Sequence, residues 1–179
     1  MALSRSSAAL QRAGLLELNL CERLNRACRR PRIQRFFAAV SRLGDGPCWY
    51  ALMLLLPLIY GAGALPVSAA MALTALFGLA CYKGLKQGTS RARPYAVDRR
   101  IRLGTAPLDP FSFPSGHTLH AVSFSTISVD QYPELGWLLI PFTLLVALSR
   151  VLLGLHYPSD VLAGALLGGA CASLCLGVL

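Results

Sequence analysis

Ionisable side chains are scarce in this chain of 179 residues, where only 14% are Asp, Glu, Lys or Arg and three are His. Those that occur near apolar stretches fall into three groups. Lys86 is followed after six residues by Arg93-Pro94; Pro114-Ser115-Gly116-His117 comes next; Ser149-Arg150 is followed after five residues by His156 and after three more by Asp160. The chemistry these suggest is phosphoryl transfer. Lys86, Arg93 and Arg150 supply three cations, and guanidinium groups bind phosphate oxygens in a fork. Ser115 and Gly116, just ahead of a helix, offer backbone N–H groups and a positive dipole end, and Gly116 lets the backbone approach a ligand. His156 and His117 suit a nucleophile and a general acid. Asp160, one turn after His156, can orient that ring.

Each residue also has a plainer reading. Lys86 and Arg93 could anchor span ends, His117 could be a satisfied core histidine, and Asp160 could cap a helix. Arg150 is harder to dismiss, because a lone arginine in an apolar stretch is costly unless paired. His120 makes an H-x-x-H pair with His117, but no Cys or carboxylate completes a metal set, so a packing or supporting role is expected and no metal site. Arg91, Arg99, Arg100 and Arg102 read as surface charge.

The elements that carry these residues belong to a membrane. The hydrophobic fraction is 55% and mean hydropathy +0.55, whereas soluble domains are about a quarter charged. Disorder is excluded by the same numbers. The net charge of +9 comes from nine arginines in 1–42, seven Lys/Arg in 83–102, and Arg150. Two clusters separated by apolar spans are not the basic face of a nucleic-acid-binding domain. Six cysteines show no C-x-x-C pair or zinc spacing and read as packing residues. No cleavable signal peptide is read at the start.

Residues 13–43 are amphipathic, broken near Pro31, and each piece is too short to span. They read as an interfacial segment with arginines toward lipid headgroups, or else as a helix packed on the bundle. Spans are expected at 47–63, Pro66–Tyr82, 135–153 and 159–179, with 83–113 a long basic loop. A polar helix from about Ser115 to Asp130 should be the fifth, central one, because polar residues at membrane depth face the bundle interior. Gly164, Gly168 and Ala172 recur every four residues and allow close packing. Counting spans brings all three chemical groups to one side of the membrane.

The combined pattern, K-x6-R-P, then P-S-G-H, then S-R-x5-H-x3-D, resembles the type 2 phosphatidic acid phosphatase superfamily, which shares its site with vanadium haloperoxidases and bacterial acid phosphatases. The match is complete at Lys86, Arg93, Pro94, Pro114, Ser115, Gly116, His117, Ser149, Arg150, His156 and Asp160. The resemblance implies a mechanism without metal or other cofactor. His156 would attack phosphorus with Asp160 as its partner, and His117 would protonate the leaving group. Lys86, Arg93, Arg150 and Ser115–Gly116 would hold the phosphoryl oxygens. Membrane relatives often have six spans; here five plus an interfacial helix are counted.

The expectation is therefore an all-α integral membrane bundle, with residues 1–46 an interfacial segment and 47–179 the phosphatase unit. Its substrate would be a lipid phosphomonoester or pyrophosphate, such as undecaprenyl diphosphate, phosphatidylglycerophosphate or phosphatidate. The alternatives are a lipid-phosphate binding or transport protein of the same fold, and a haloperoxidase. Expected partners are the lipid substrate and membrane lipids, with no nucleic acid; a homo-oligomer stays open. The site is expected on the outer side of the inner membrane, although the positive-inside rule argues for the cytoplasmic side.

Overall fold

The computed structural model describes residues 2–177, with side chains from Arg12 onward. Its helices are α1 (Ala2–Asn25), α2 (Pro31–Leu43), α3 (Pro47–Tyr60), α4 (Leu65–Thr89), the short α5 (Pro94–Val97), α6 (Gly116–Gln131), α7 (Gly136–Leu152) and α8 (Pro158–Leu176). Single 3-10 turns occupy Arg26–Arg29, Ala62–Ala64 and Pro133–Leu135. Pro31, Pro47, Pro66, Pro94 and Pro158 stand at or beside helix starts, where a missing N–H and a fixed φ cost nothing.

The polar helix α6 is the axis of the bundle. It packs most extensively against α8, then against α7 and α4, and Thr118, Ser123, Ser125 and Ser128 are buried within it. Small residues make the α6–α8 approach close. A Cβ at Gly164 would collide with the Ser115 carbonyl oxygen, and one at Gly168 with that of Leu119. The outer faces are apolar: Leu58 is 78% exposed, Leu166 68% and Trp137 90%, as suits a surface whose solvent is hydrocarbon. The inner core gathers Trp49, Leu56, Met71, Phe124, Ile127 and Val146.

By length and composition three helices can cross a membrane, at Ala62–Thr89, Pro133–Leu152 and Pro158–Leu176. The pair α2 and α3, bent by 50° at Gly44–Gly46, qualifies together as a fourth. Helix α6, with 16 residues and many hydroxyls, does not meet that criterion alone. One boundary differs from the sequence reading. Helix α4 runs to Thr89 instead of ending near Tyr82, because nothing between Lys83 and Thr89 breaks a helix, so Lys86 sits on its last turns. Helix α1 packs against α7 and α8. Cys21 and Asn25 are buried, and Asn25 Nδ2 donates to the carbonyls of Arg102 and Leu152 at 2.9 Å each, tying α1 to the loop before α6 and to the end of α7.

Candidate active site

All three sequence groups converge on one cavity of about 180 Å³. Lys86 enters from the end of α4, Arg93 from the N-cap of α5, Gly116 and His117 from the first turn of α6, Arg150 from the last turn of α7, and His156 from the loop before α8. Trp49, Tyr50, Tyr82, Leu108, His120 and Phe124 form apolar and aromatic walls. His120 stacks on Phe124 at 5.4 Å, the packing role expected of it.

His156 is 1% exposed. Arg93 Nη1 lies 3.1 Å from its Nε2 and also donates to the Leu155 carbonyl at 2.9 Å. A guanidinium can only donate, so Nε2 must carry the lone pair and Nδ1 the proton. Burial, then the charges of Arg150, Arg93 and Lys86, hold this imidazole well below the ordinary histidine value. It is therefore neutral, with a nucleophilic lone pair turned toward the cations. Asp160 Oδ2 stands 3.7 Å from Nδ1, too far for a hydrogen bond.

Asp160 does other work as well. Its Oδ2 accepts the Tyr157 N–H at 2.8 Å, capping α8, while the same oxygen makes no hydrogen bond to His156. Its carbonyl accepts the Ser115 N–H at 3.0 Å. Ser115 is fully buried, and its Oγ is 3.0 Å from Thr118 Oγ1. Ser115 thus builds the N-terminus of α6, and the first-turn N–H groups beside the cavity are those of Gly116 and His117.

The cations differ in how far they are committed. Arg150 is 3% exposed, bonds to Ser41 Oγ through Nη1, and has no partner for Nε among the described residues. Arg93 and Lys86 instead share a carboxylate that sequence reasoning missed. Asp109 bonds Lys86 Nζ through Oδ2, accepts from Arg93 Nη2 at 3.2 Å through Oδ1, and its carbonyl accepts Arg93 Nε at 2.9 Å. Burial pushes the Asp109 carboxyl up, but Lys86 and then Arg93 outweigh it and hold the group below the usual carboxylate range. A second missed carboxylate, Asp45 between α2 and α3, places Oδ1 3.3 Å from His117 Nε2. The third omission is Arg91. Read as surface charge, it is half-buried and forms an ion pair with Asp160 at 2.6 Å. The only sequence hint was its place two residues before Arg93.

The fold is shared with a solved structure. The crystal structure of Aquifex aeolicus LpxE superposes with a TM-score of 0.73 at 28% identity, covering 90% of this chain and 95% of that one. Among curated relatives, a lipid A 1-phosphatase of Rhizobium etli is 35% identical over 92 residues, 48% of this chain and 38% of the relative. The undecaprenyl-diphosphatase BcrC of Bacillus subtilis is 45% identical over 51 residues, 28% of this chain and 26% of the relative. The chain thus spans well under half the length of these relatives. The PAP2 superfamily model matches residues 63–179, a stretch that holds every residue of the three motifs. On that match, which takes in α4 to α8 and every cation and histidine of the cavity, the chain belongs to the PAP2 superfamily.

Proposed function

We propose that this protein is a membrane lipid phosphatase that removes a terminal phosphate from a lipid phosphomonoester or pyrophosphate through a phosphohistidine. The carrying observation is that the unprotonated Nε2 of His156 lies 3.1 Å from Arg93 in a cavity that also holds Lys86, Arg150 and His117. When phosphate oxygens draw the Arg93 guanidinium away, the Nε2 lone pair attacks phosphorus. The P–N bond forms as the bond to the leaving oxygen breaks, and that oxygen takes a proton from His117. Asp160 stabilises the charged ring. Water then attacks phosphorus and gives a proton to His117, the P–N bond breaks, and inorganic phosphate leaves. Three cations and the N–H groups of Gly116 and His117 neutralise the oxygens, the electrostatic part of the catalysis.

The apolar outer face and the cavity at one end of the bundle favour a substrate whose tail stays in lipid while its headgroup enters. Relatives named for lipid A and undecaprenyl diphosphate support this class. In this reading five helices, α3, α4, α6, α7 and α8, form the membrane unit of 47–179, residues 1–46 lie at the interface, and the catalytic end faces outward from the inner membrane. Single cysteines at Ala106 and Gly63, both exposed, on a background lacking the native six test the orientation: an impermeant thiol reagent should label Ala106→Cys in intact cells and not Gly63→Cys. For the chemistry, wild type given substrate with a labelled terminal phosphate should yield an acid-labile phosphoenzyme. His156→Ala should fold, form none, and lose more than the ~10⁴-fold upper range of general acid–base removal. Near wild-type phosphate release from His156→Ala overturns the mechanism.

A further inference from the structure

The inner face of α1 reaches the catalytic loop. Glu17 Oε1 accepts the Ser159 N–H at 2.8 Å, and its Oε2 accepts from Arg91 Nη2 at 2.9 Å. Arg91 Nη1 donates to Asp160 Oδ1 at 2.6 Å and to Ser159 Oγ at 2.8 Å. The same guanidinium lies 3.9 Å over the Tyr157 ring, which fixes its plane. Cys21 Sγ points at the His156 carbonyl at 3.8 Å. A chain of contacts thus runs from α1 through Glu17 and Arg91 to the fully buried carboxylate that faces the nucleophile.

We infer that Arg91, held by Glu17, is a positioning residue that sets how strongly Asp160 acts on His156, making the N-terminal helix part of the catalytic apparatus. The inference rests on the phosphohistidine reading. Arg91 does not line the cavity, so it acts through Asp160 and not on substrate. Asp160 is divided between Arg91 on Oδ1 and the Tyr157 N–H on Oδ2. A carboxylate so engaged pulls less on the His156 Nδ1 proton. Removing Arg91 strengthens that pull and raises the basicity of the ring. Removing the Glu17 charge leaves more of the Arg91 cation on Asp160 and lowers it. Among the described residues, the other titratable or charged groups around His156 are Lys86 on α4, Arg93 and Asp109 on the intervening loop, Arg150 on α7, His117 on α6, Cys21 on α1 and the adjoining Tyr157, and neither variant alters them.

The test is the pH profile of kcat/KM for a short-chain lipid phosphate in detergent. Arg91→Gln should move the acid limb up by about half a pH unit, and Glu17→Gln should move it down by a similar amount, less than the full shift of a directly adjacent charge. Arg91→Lys should restore the wild-type limb. A merely structural bridge lowers the height of every profile without moving the limb, or moves both variants the same way, and either result overturns the inference. If Arg91→Gln does not fold, Glu17→Gln decides: a downward shift supports the inference and an unmoved limb refutes it. The phosphohistidine reading fails separately, through an active His156→Ala.

Discussion

In the proposed mechanism Asp109 occupies part of the place that a substrate phosphate needs. Its carboxylate binds Lys86 and Arg93 together, and it lines the cavity with its side chain 30% exposed. A phosphoryl dianion must take these cations from Asp109 or sit beside a like charge. Asp109→Asn keeps the size and one acceptor but removes the charge. Two unit charges about 6 Å apart at an effective dielectric of about 20 interact by about 3 kcal/mol. A charged hydrogen bond contributes about 1.5–3 kcal/mol. The amide retains part of the contact, so the net gain for a bound anion should be about 1.5–2.5 kcal/mol, or roughly 10- to 70-fold in affinity. Vanadate and inorganic phosphate, as competitive inhibitors of hydrolysis of a soluble lipid phosphate, read this directly. Their inhibition constants should fall by that factor in Asp109→Asn, with kcat lowered because product leaves more slowly. Unchanged or weaker inhibition would refute the competition and show that Asp109 positions the cations for phosphate.

His117→Ala should hurt hydrolysis of alkyl phosphates far more than aryl phosphates, whose leaving oxygens need no proton; equal losses count against a general acid. Activity should survive chelation, since Lys86, Arg93 and Arg150 supply the charge that metals supply elsewhere; loss restored by zinc or magnesium would contradict this. Gly168→Ala, whose Cβ meets the Leu119 carbonyl, should cost about 1–3 kcal/mol of stability. The neighbouring Gly169→Ala, with open space around it, should be neutral or stabilising in the same thermal unfolding assay. Because folded His156 stays well below the usual histidine value, the unfolded chain takes up a proton below about pH 6.5 that the folded chain refuses. Thermal stability should therefore fall as pH drops from 7 toward 5, and His156→Gln should flatten that slope; an unchanged slope would refute it.

Composition alone pointed to a membrane, because a chain 55% hydrophobic and only 14% charged has too few polar residues to cover itself in water; the structure then put Leu58, Leu166 and Trp137 on the outside. Residue type and spacing also singled out Lys86, Arg93, His117, Arg150, His156 and Asp160, since ionisable groups are scarce here and costly beside apolar spans, and the structure brings the first five to one cavity. The four-residue rhythm of Gly164, Gly168 and Ala172 announced a close helix contact, and the structure supplied α6 as its partner. What only the tertiary structure decided is how those charges are shared. Periodicity tells which face a side chain occupies but not which distant group lies within 3 Å of it. Glu17, 74 residues before Arg91, turned an apparent surface arginine into the partner of Asp160. Asp109 reached Lys86 and Arg93 only because the loop between Arg91 and Pro114 folds back over the cavity, and Asp45 met His117 only because α2 and α3 bend at Gly44–Gly46. The strength of an ion pair depends on separation and burial, and both are properties of the folded chain.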